Sequence, residues 1–227
     1  MGRYLVRHPS ALGLLITAGC SCLFLALTVG VLTGGPLERF DRAAAALHAF
    51  ASEAQGFTDS LYIVGVPGSL EVLSLVSLLV AAVLLWRRCW SLSAAWLVAV
   101  LGGEALNLLL KDLIARPRPR FEHPLVVETS YSFPSGQAME SLVVYGMLAY
   151  LAMLTSGGLG KRAALVCGLA VLVALIGLSR AYLGAHYFSD VVGGFAAGGA
   201  WLSAIITIRE AVRRRDTASR QVRTRSP

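Results

Sequence analysis

The residues from Ser179 to Asp190, Ser-Arg-Ala-Tyr-Leu-Gly-Ala-His-Tyr-Phe-Ser-Asp, have the types and spacing that phosphoryl transfer needs. His186 and Asp190 stand four apart, a spacing that on a helix stacks both side chains on one face. There the carboxylate accepts an imidazole N–H, fixes the tautomer and leaves the other ring nitrogen free as a nucleophile. Arg180 supplies a planar fork suited to phosphate oxygens. Taken alone, the pair suits a helix cap at a membrane surface equally well. Two more stretches tip the balance. Lys111-Asp-Leu-Ile-Ala-Arg-Pro-Arg-Pro-Arg is a dense cation cluster whose prolines end a helix and stiffen the exit. Tyr131-Ser-Phe-Pro-Ser-Gly-Gln137 opens another apolar run, and a Ser135–Gly136 pair at a helix start offers free N–H groups and the positive end of the helix dipole to an anion. Upstream of Lys111, Glu104 and Asn107 recur at helical spacing, so the three share one face that should point into a bundle.

The scaffold that must bring these together is a membrane one. Of 227 residues, 56% are apolar and 15% charged, proportions that keep a polytopic membrane protein stable in lipid and would precipitate a soluble domain. Six runs are long enough to cross a bilayer: Ala11–Thr33, Leu61–Trp86, Leu92–Ile114, Gln137–Thr155, Ala163–Leu183 and Phe188–Ile208. The expected fold is an all-α integral membrane bundle of six transmembrane helices filling residues 1–208 as a single domain. A loop about 36–56 is expected to hold an amphipathic helix at the outer interface, with Leu37 and Phe40 set against Glu38, Asp41 and Arg42. Arg209–Pro227 reads as a disordered basic tail.

Sidedness follows from the basic residues. Thirteen of the twenty Lys and Arg fall at ends that share one side if both termini are cytoplasmic, as the positive-inside rule asks. The other seven are Arg39, Arg42, Lys111, Arg116, Arg118, Arg120 and Arg180, and five of them belong to the clusters above. The net charge of +7 is therefore mostly a topology signal, and no nucleic-acid partner is expected. Four cysteines at unrelated positions imply no disulfide framework. With six spans, the ends of the third and fifth and the starts of the fourth and sixth share the outer surface, so Lys111, Arg118, Ser135, Gly136, Arg180, His186 and Asp190 can converge there.

These residues resemble a known family. Lys111 to Pro119 fits Lys-x6-Arg-Pro, Pro134-Ser135-Gly136-Gln137 resembles Pro-Ser-Gly-His, and Ser179 to Asp190 fits Ser-Arg-x5-His-x3-Asp. The set is similar to that of the type 2 phosphatidic acid phosphatases, membrane lipid phosphatases whose helical core is related to soluble acid phosphatases and vanadium haloperoxidases. The resemblance implies phosphate binding by Lys111, Arg118, Ser135, Gly136 and Arg180, attack on phosphorus by His186 to give a phosphohistidine, and orientation of His186 by Asp190. It implies no metal and no cofactor, a phospholipid or isoprenyl phosphate as substrate, and a bacterial plasma membrane location with the site facing the periplasm or exterior.

One position departs from the pattern. Where the family has a second His as general acid stands Gln137, which donates a hydrogen bond but cannot give up a proton. Four accounts stay open. The substrate is a diphosphate, whose leaving phosphate needs little acid help; Glu140, one turn along, is the acid; the chain is an engineered inactive variant; or it binds lipid phosphates without hydrolysing them. Isoprenyl diphosphate, phosphatidic acid and phosphatidylglycerol phosphate all fit. A transporter fits less well, because the ionisable groups gather at one face and not at the midplane.

Overall fold

A computed structural model of the chain describes residues 9–43, 55–119, 128–155 and 158–223. Among these the chain is helical throughout its regular structure, with no strand. In order come α1 (Pro9–Thr33), a short helix α2 (36–43), α3 (Gln55–Gly65), a single 3-10 turn (Val66–Gly68), α4 (Leu70–Trp86), α5 (Trp90–Ile114), α6 (Gly136–Leu154), α7 (Leu159–Tyr182) and α8 (Phe188–Arg223). Six stretches are long and apolar enough to cross a membrane: Ala11–Thr33, Gly56–Trp86, Trp90–Ile114, Gly136–Leu154, Leu159–Tyr182 and Phe188–Thr217. Leu14, Leu25, Leu78 and Leu101 point outward from these helices. Outward leucines fit a bundle whose solvent is hydrocarbon.

Where water is absent, every backbone break must be satisfied from within. The second span shows how. Pro67 interrupts the ladder between α3 and α4, and its freed carbonyl accepts the Tyr145 hydroxyl at 2.7 Å. Ser69 then restarts the helix as N-cap, its Oγ accepting from Val72 N at 3.3 Å. Helix α3 therefore extends this span to Gly56, where the sequence suggested a loop up to residue 56 and a span beginning at Leu61.

Close packing in lipid relies on small residues. Helix α8 lies against α1 and α6, and α7 against α6. A Cβ on Gly194 would sit 2.5 Å from the Ser135 backbone oxygen, and one on Gly198 would sit 2.9 Å from that of Met139. These two positions let the start of α8 touch the start of α6. Trp96, Val143, Met147 and Ile176 fill the centre of the bundle. At the far end of α6, Tyr150 bonds Glu210, which also pairs with Arg209 at 2.7 Å and Arg213 at 2.6 Å.

Two expectations need correction. The segment after residue 208 was expected to be disordered, but α8 runs on to Arg223, favoured by its Arg, Ala and Gln content and by the Glu210–Arg213 pair one turn apart. In the outer segment, Asp41 was set on the polar face; it is 1% exposed, while Phe40 is 52% exposed. Residues 44–54 of that segment lie outside the described residues.

Candidate active site

Five pieces of chain meet at one end of the bundle: the last turn of α5, residues 115–119 and 128–135 between α5 and α6, the first turn of α6, the last turn of α7, and the turn 183–187 leading into α8. Helix α5 stops at Ala115, which takes a left-handed conformation (φ 49°) before Pro117 and Pro119. Arg118 is then fastened from several sides, donating to Ser130 O at 2.6 Å and to Ala185 O at 2.7 Å. Lys111 donates to Tyr131 O at 2.6 Å, and the Ser135 amide donates to Asp190 O at 2.9 Å. Gly184, with φ 74°, turns the chain from α7 toward His186.

His186 and Asp190 do not share a helix. His186 sits in the turn and Asp190 in the first turn of α8, where Asp190 Oδ2 reaches back to accept the Tyr187 amide at 2.8 Å, half of a capping box. The pair still faces each other, with His186 Nδ1 3.6 Å from Asp190 Oδ2. Arg118 Nη1 lies 3.2 Å from His186 Nε2. Because a guanidinium only donates, Nε2 must be the acceptor, which assigns the ring proton to Nδ1, on the Asp190 side. Burial pushes the His186 pKa below its ordinary value, although Asp190 and Glu128 pull the other way. The ring is neutral at pH 7, with a lone pair on Nε2. That is the protonation state of a nucleophile.

Beside this lone pair lies an anion. The Glu128 carboxylate is 2.7 Å from Arg118 Nη2, is hydrogen-bonded to Arg180 Nη2, and is 3.9 Å from His186 Nε2. Burial opposes its ionisation, but the Arg118 and Arg180 guanidiniums and the His186 ring outweigh burial and hold its pKa below the usual value. Its two oxygens mark positions that phosphate oxygens can occupy on the same two forks. A cavity of about 250 Å³ opens here, lined by Lys111, Gly136, Gln137, Glu104, Glu140 and His186, as well as by Glu128. Around it Ser135 Oγ, Gln137 Oε1 and Arg180 Nε are buried and have no hydrogen-bond partner among the described residues. Unpaired buried polar atoms are rare, and three together fit a site that takes up a polar guest. Glu104 and Glu140 stand on the wall of the same cavity.

The structure thus places all ten expected side chains or backbone groups at this end: Glu104, Lys111, Arg118, Ser135, Gly136, Gln137, Glu140, Arg180, His186 and Asp190. Three contributors, Glu128, Ser132 and Asp41, were not anticipated, and a fourth, Arg116, was seen only as part of the basic cluster. Glu128 bridges the two arginines; Ser132 donates to Asp190; Arg116 and Asp41 form an ion pair at 2.8 Å beside the dyad. The Arg-Pro-Arg-Pro repeat pointed to Arg116 as well as Arg118, whereas single carboxylates in outer loops carry no comparable signal. Among the described residues, no group of three or more His, Cys, Asp or Glu side chains is placed to hold a metal ion.

The sequence and the fold have counterparts among known proteins. The family model described as PAP2 superfamily matches residues 92–214. Phosphatidylglycerophosphatase B of Bacillus subtilis (strain 168) is 39% identical over 129 residues, 56% of this chain and 62% of that relative's length. The crystal structure of a transmembrane PAP2 type phosphatidylglycerolphosphate phosphatase from Bacillus subtilis is similar with a TM-score of 0.76 at 28% identity, covering 86% of this chain and 96% of that one.

Proposed function

This chain belongs to the PAP2 superfamily, and we propose that it is a membrane lipid phosphatase that works through a phosphohistidine on His186, with phosphatidylglycerol phosphate as the first substrate to consider. The observation that carries the reading is the Nε2 lone pair of His186, held beside two guanidiniums that already grip a carboxylate. In the proposed reaction the lipid phosphate displaces Glu128 from Arg118 and Arg180. Lys111 and the N-terminus of α6 at Ser135 and Gly136 supply further positive potential. Nε2 attacks phosphorus, the bond to the lipid oxygen breaks, and the charge left on the transferring phosphoryl oxygens is met by the cation ring. Water then attacks the phosphohistidine, phosphate leaves, and Nε2 recovers its lone pair.

The leaving alkoxide of a monophosphate needs a proton that Gln137 cannot give. Glu140 is on the cavity wall beside Glu104, one turn along α6 from Gln137, so it takes the donor role in this reading. A second reading, a diphosphate substrate, is favoured by Gln137 itself, because a phosphate leaving group with a second pKa of ~6 departs without such help. Positive-inside charge bias supports a site facing away from the cytoplasm.

Release of inorganic phosphate from phosphatidylglycerol phosphate, phosphatidic acid and isoprenyl diphosphate, by the protein in vesicles or detergent, tests both. The expected result is release abolished in His186→Asn. Hydrolysis of monophosphates by the parent supports Glu140 as donor; hydrolysis of the diphosphate alone, with monophosphates gained in Gln137→His, supports the second reading. No release from any of them, in either form, rejects the phosphatase.

A further inference from the structure

Asp190 is held far more firmly than a residue that merely faces an imidazole. Its Oδ1 accepts Arg116 Nη1 at 2.5 Å, and its Oδ2 accepts the Tyr187 amide at 2.8 Å and the Ser132 hydroxyl. These three bonds fix the plane of the carboxylate and hold its Oδ2 at 3.6 Å from His186 Nδ1. The guanidinium that takes the first is itself anchored. Arg116 Nη2 donates to Asp41 Oδ2 at 2.8 Å, and Nη1 donates also to Ser189 Oγ at 2.8 Å. Ser189 in turn donates to Asp41 from Oγ at 2.5 Å and from its amide at 3.0 Å. The guanidinium carbon lies 4.2 Å from the centre of the Tyr187 ring. Asp41 and Asp190 are 1% and 0% exposed, so water screens neither. Buried carboxylates are costly unless paired, and one fork set between two of them serves both.

We infer that Arg116, locked in place by Asp41 of α2, is a positioning residue of the reaction: it fixes the Asp190 carboxylate in the orientation and charge state that keep the His186 proton on Nδ1. The inference rests on the phosphatase reading above. Both Arg116 Nη atoms are engaged by Asp190, Ser189 and Asp41, so its effect falls on turnover and not on substrate binding. The other charged groups facing the imidazole are Arg118 and Glu128, with Lys111 of α5 and Arg180 of α7 behind them.

The test compares kcat, KM and the pH dependence of kcat/KM across variants of the full chain whose folding is checked by thermal unfolding. Arg116→Gln removes a positive charge touching Asp190, so the acid limb should move up by about 1 unit or more, with kcat down roughly ten- to a hundredfold and KM little changed. Asp41→Asn removes a negative charge and should move the limb the other way. Arg116→Lys keeps the charge, so the limb stays while only part of kcat returns. A folded Arg116→Gln with parental kcat and an unmoved limb overturns the inference. If that variant does not fold, Asp41→Asn decides on the same two readouts. If the parent protein releases no phosphate, the phosphatase reading has failed; NMR titration of the His186 ring then reads the same opposite shifts directly, and their absence rejects the positioning role.

Discussion

An arginine can only donate, so Arg118 makes His186 Nε2 an acceptor, while the Asp190 carboxylate on the other side of the ring favours the proton on Nδ1. The free enzyme needs that ring neutral. Since burial depresses the His186 pKa, the fraction of nucleophile stays high as pH falls through 6.5, and activity is lost only below it. The acid limb of kcat/KM is accordingly expected under pH 6.5, measured by phosphate release across pH; a limb well above that value contradicts the burial argument. Glu140 makes a second residue-scale prediction. Glu140→Gln should slow monophosphate hydrolysis by roughly 10²–10⁴-fold while sparing diphosphates, and Gln137→His in the same chain should restore the monophosphates. Equal loss on both substrates assigns Glu140 a structural role. Eight of the ten site residues were legible because they fall in three short motifs, and Glu104 and Glu140 because they stand at helical spacing from Lys111 and Gln137. Glu128 and Asp41 were not: Glu128 bridges nearby Arg118 to Arg180, 52 residues away, Asp41 pairs with Arg116, 75 residues away, and nothing local distinguishes a bridging carboxylate from a solvated one.

At the scale of elements, the site exists because α8 can approach α6. Gly194→Val would drive a side chain into the backbone of Ser135, which is N-cap of α6 and whose amide donates to Asp190 O. It should cost roughly 1–3 kcal/mol of stability and reduce phosphate release more than the stability loss explains, since the helix start itself moves. Thermal unfolding and activity assays on the same samples check this; parental activity at lowered stability contradicts it. Span boundaries were readable from hydropathy wherever one straight helix crosses the bilayer. The start of the second span was less so: it was read at Leu61 and lies at Gly56, because Gly65-Val66-Pro67-Gly68 interrupts the helix near that end, a break satisfied by Tyr145 from another helix. Beyond residue 208 composition suggested disorder, while local helix propensity and the Glu210 ion pairs continue α8.

For the whole molecule, six crossings put the start of α1 and the end of α8 on one side and the cation cup on the other. Charge bias predicts which side is which. In intact cells, with native cysteines removed, Thr129→Cys near the site should react with a membrane-impermeant maleimide, and Leu159→Cys at the opposite end only after lysis; both positions are exposed. The reverse pattern would turn the site inward. Fold class, span number and convergence could be read from composition, length and motif order, since lipid demands apolar helices of about 20 residues. The buried Asp41–Arg116–Asp190 chain could not, because it depends on where an outer helix docks.

Rapid quenching of the protein with a lipid labelled with ³²P in its terminal phosphate probes the covalent step most directly. The account predicts a protein-bound label that is acid-labile and alkali-stable, absent from His186→Asn. Turnover that persists in His186→Asn, with no label on the parent chain, would contradict it.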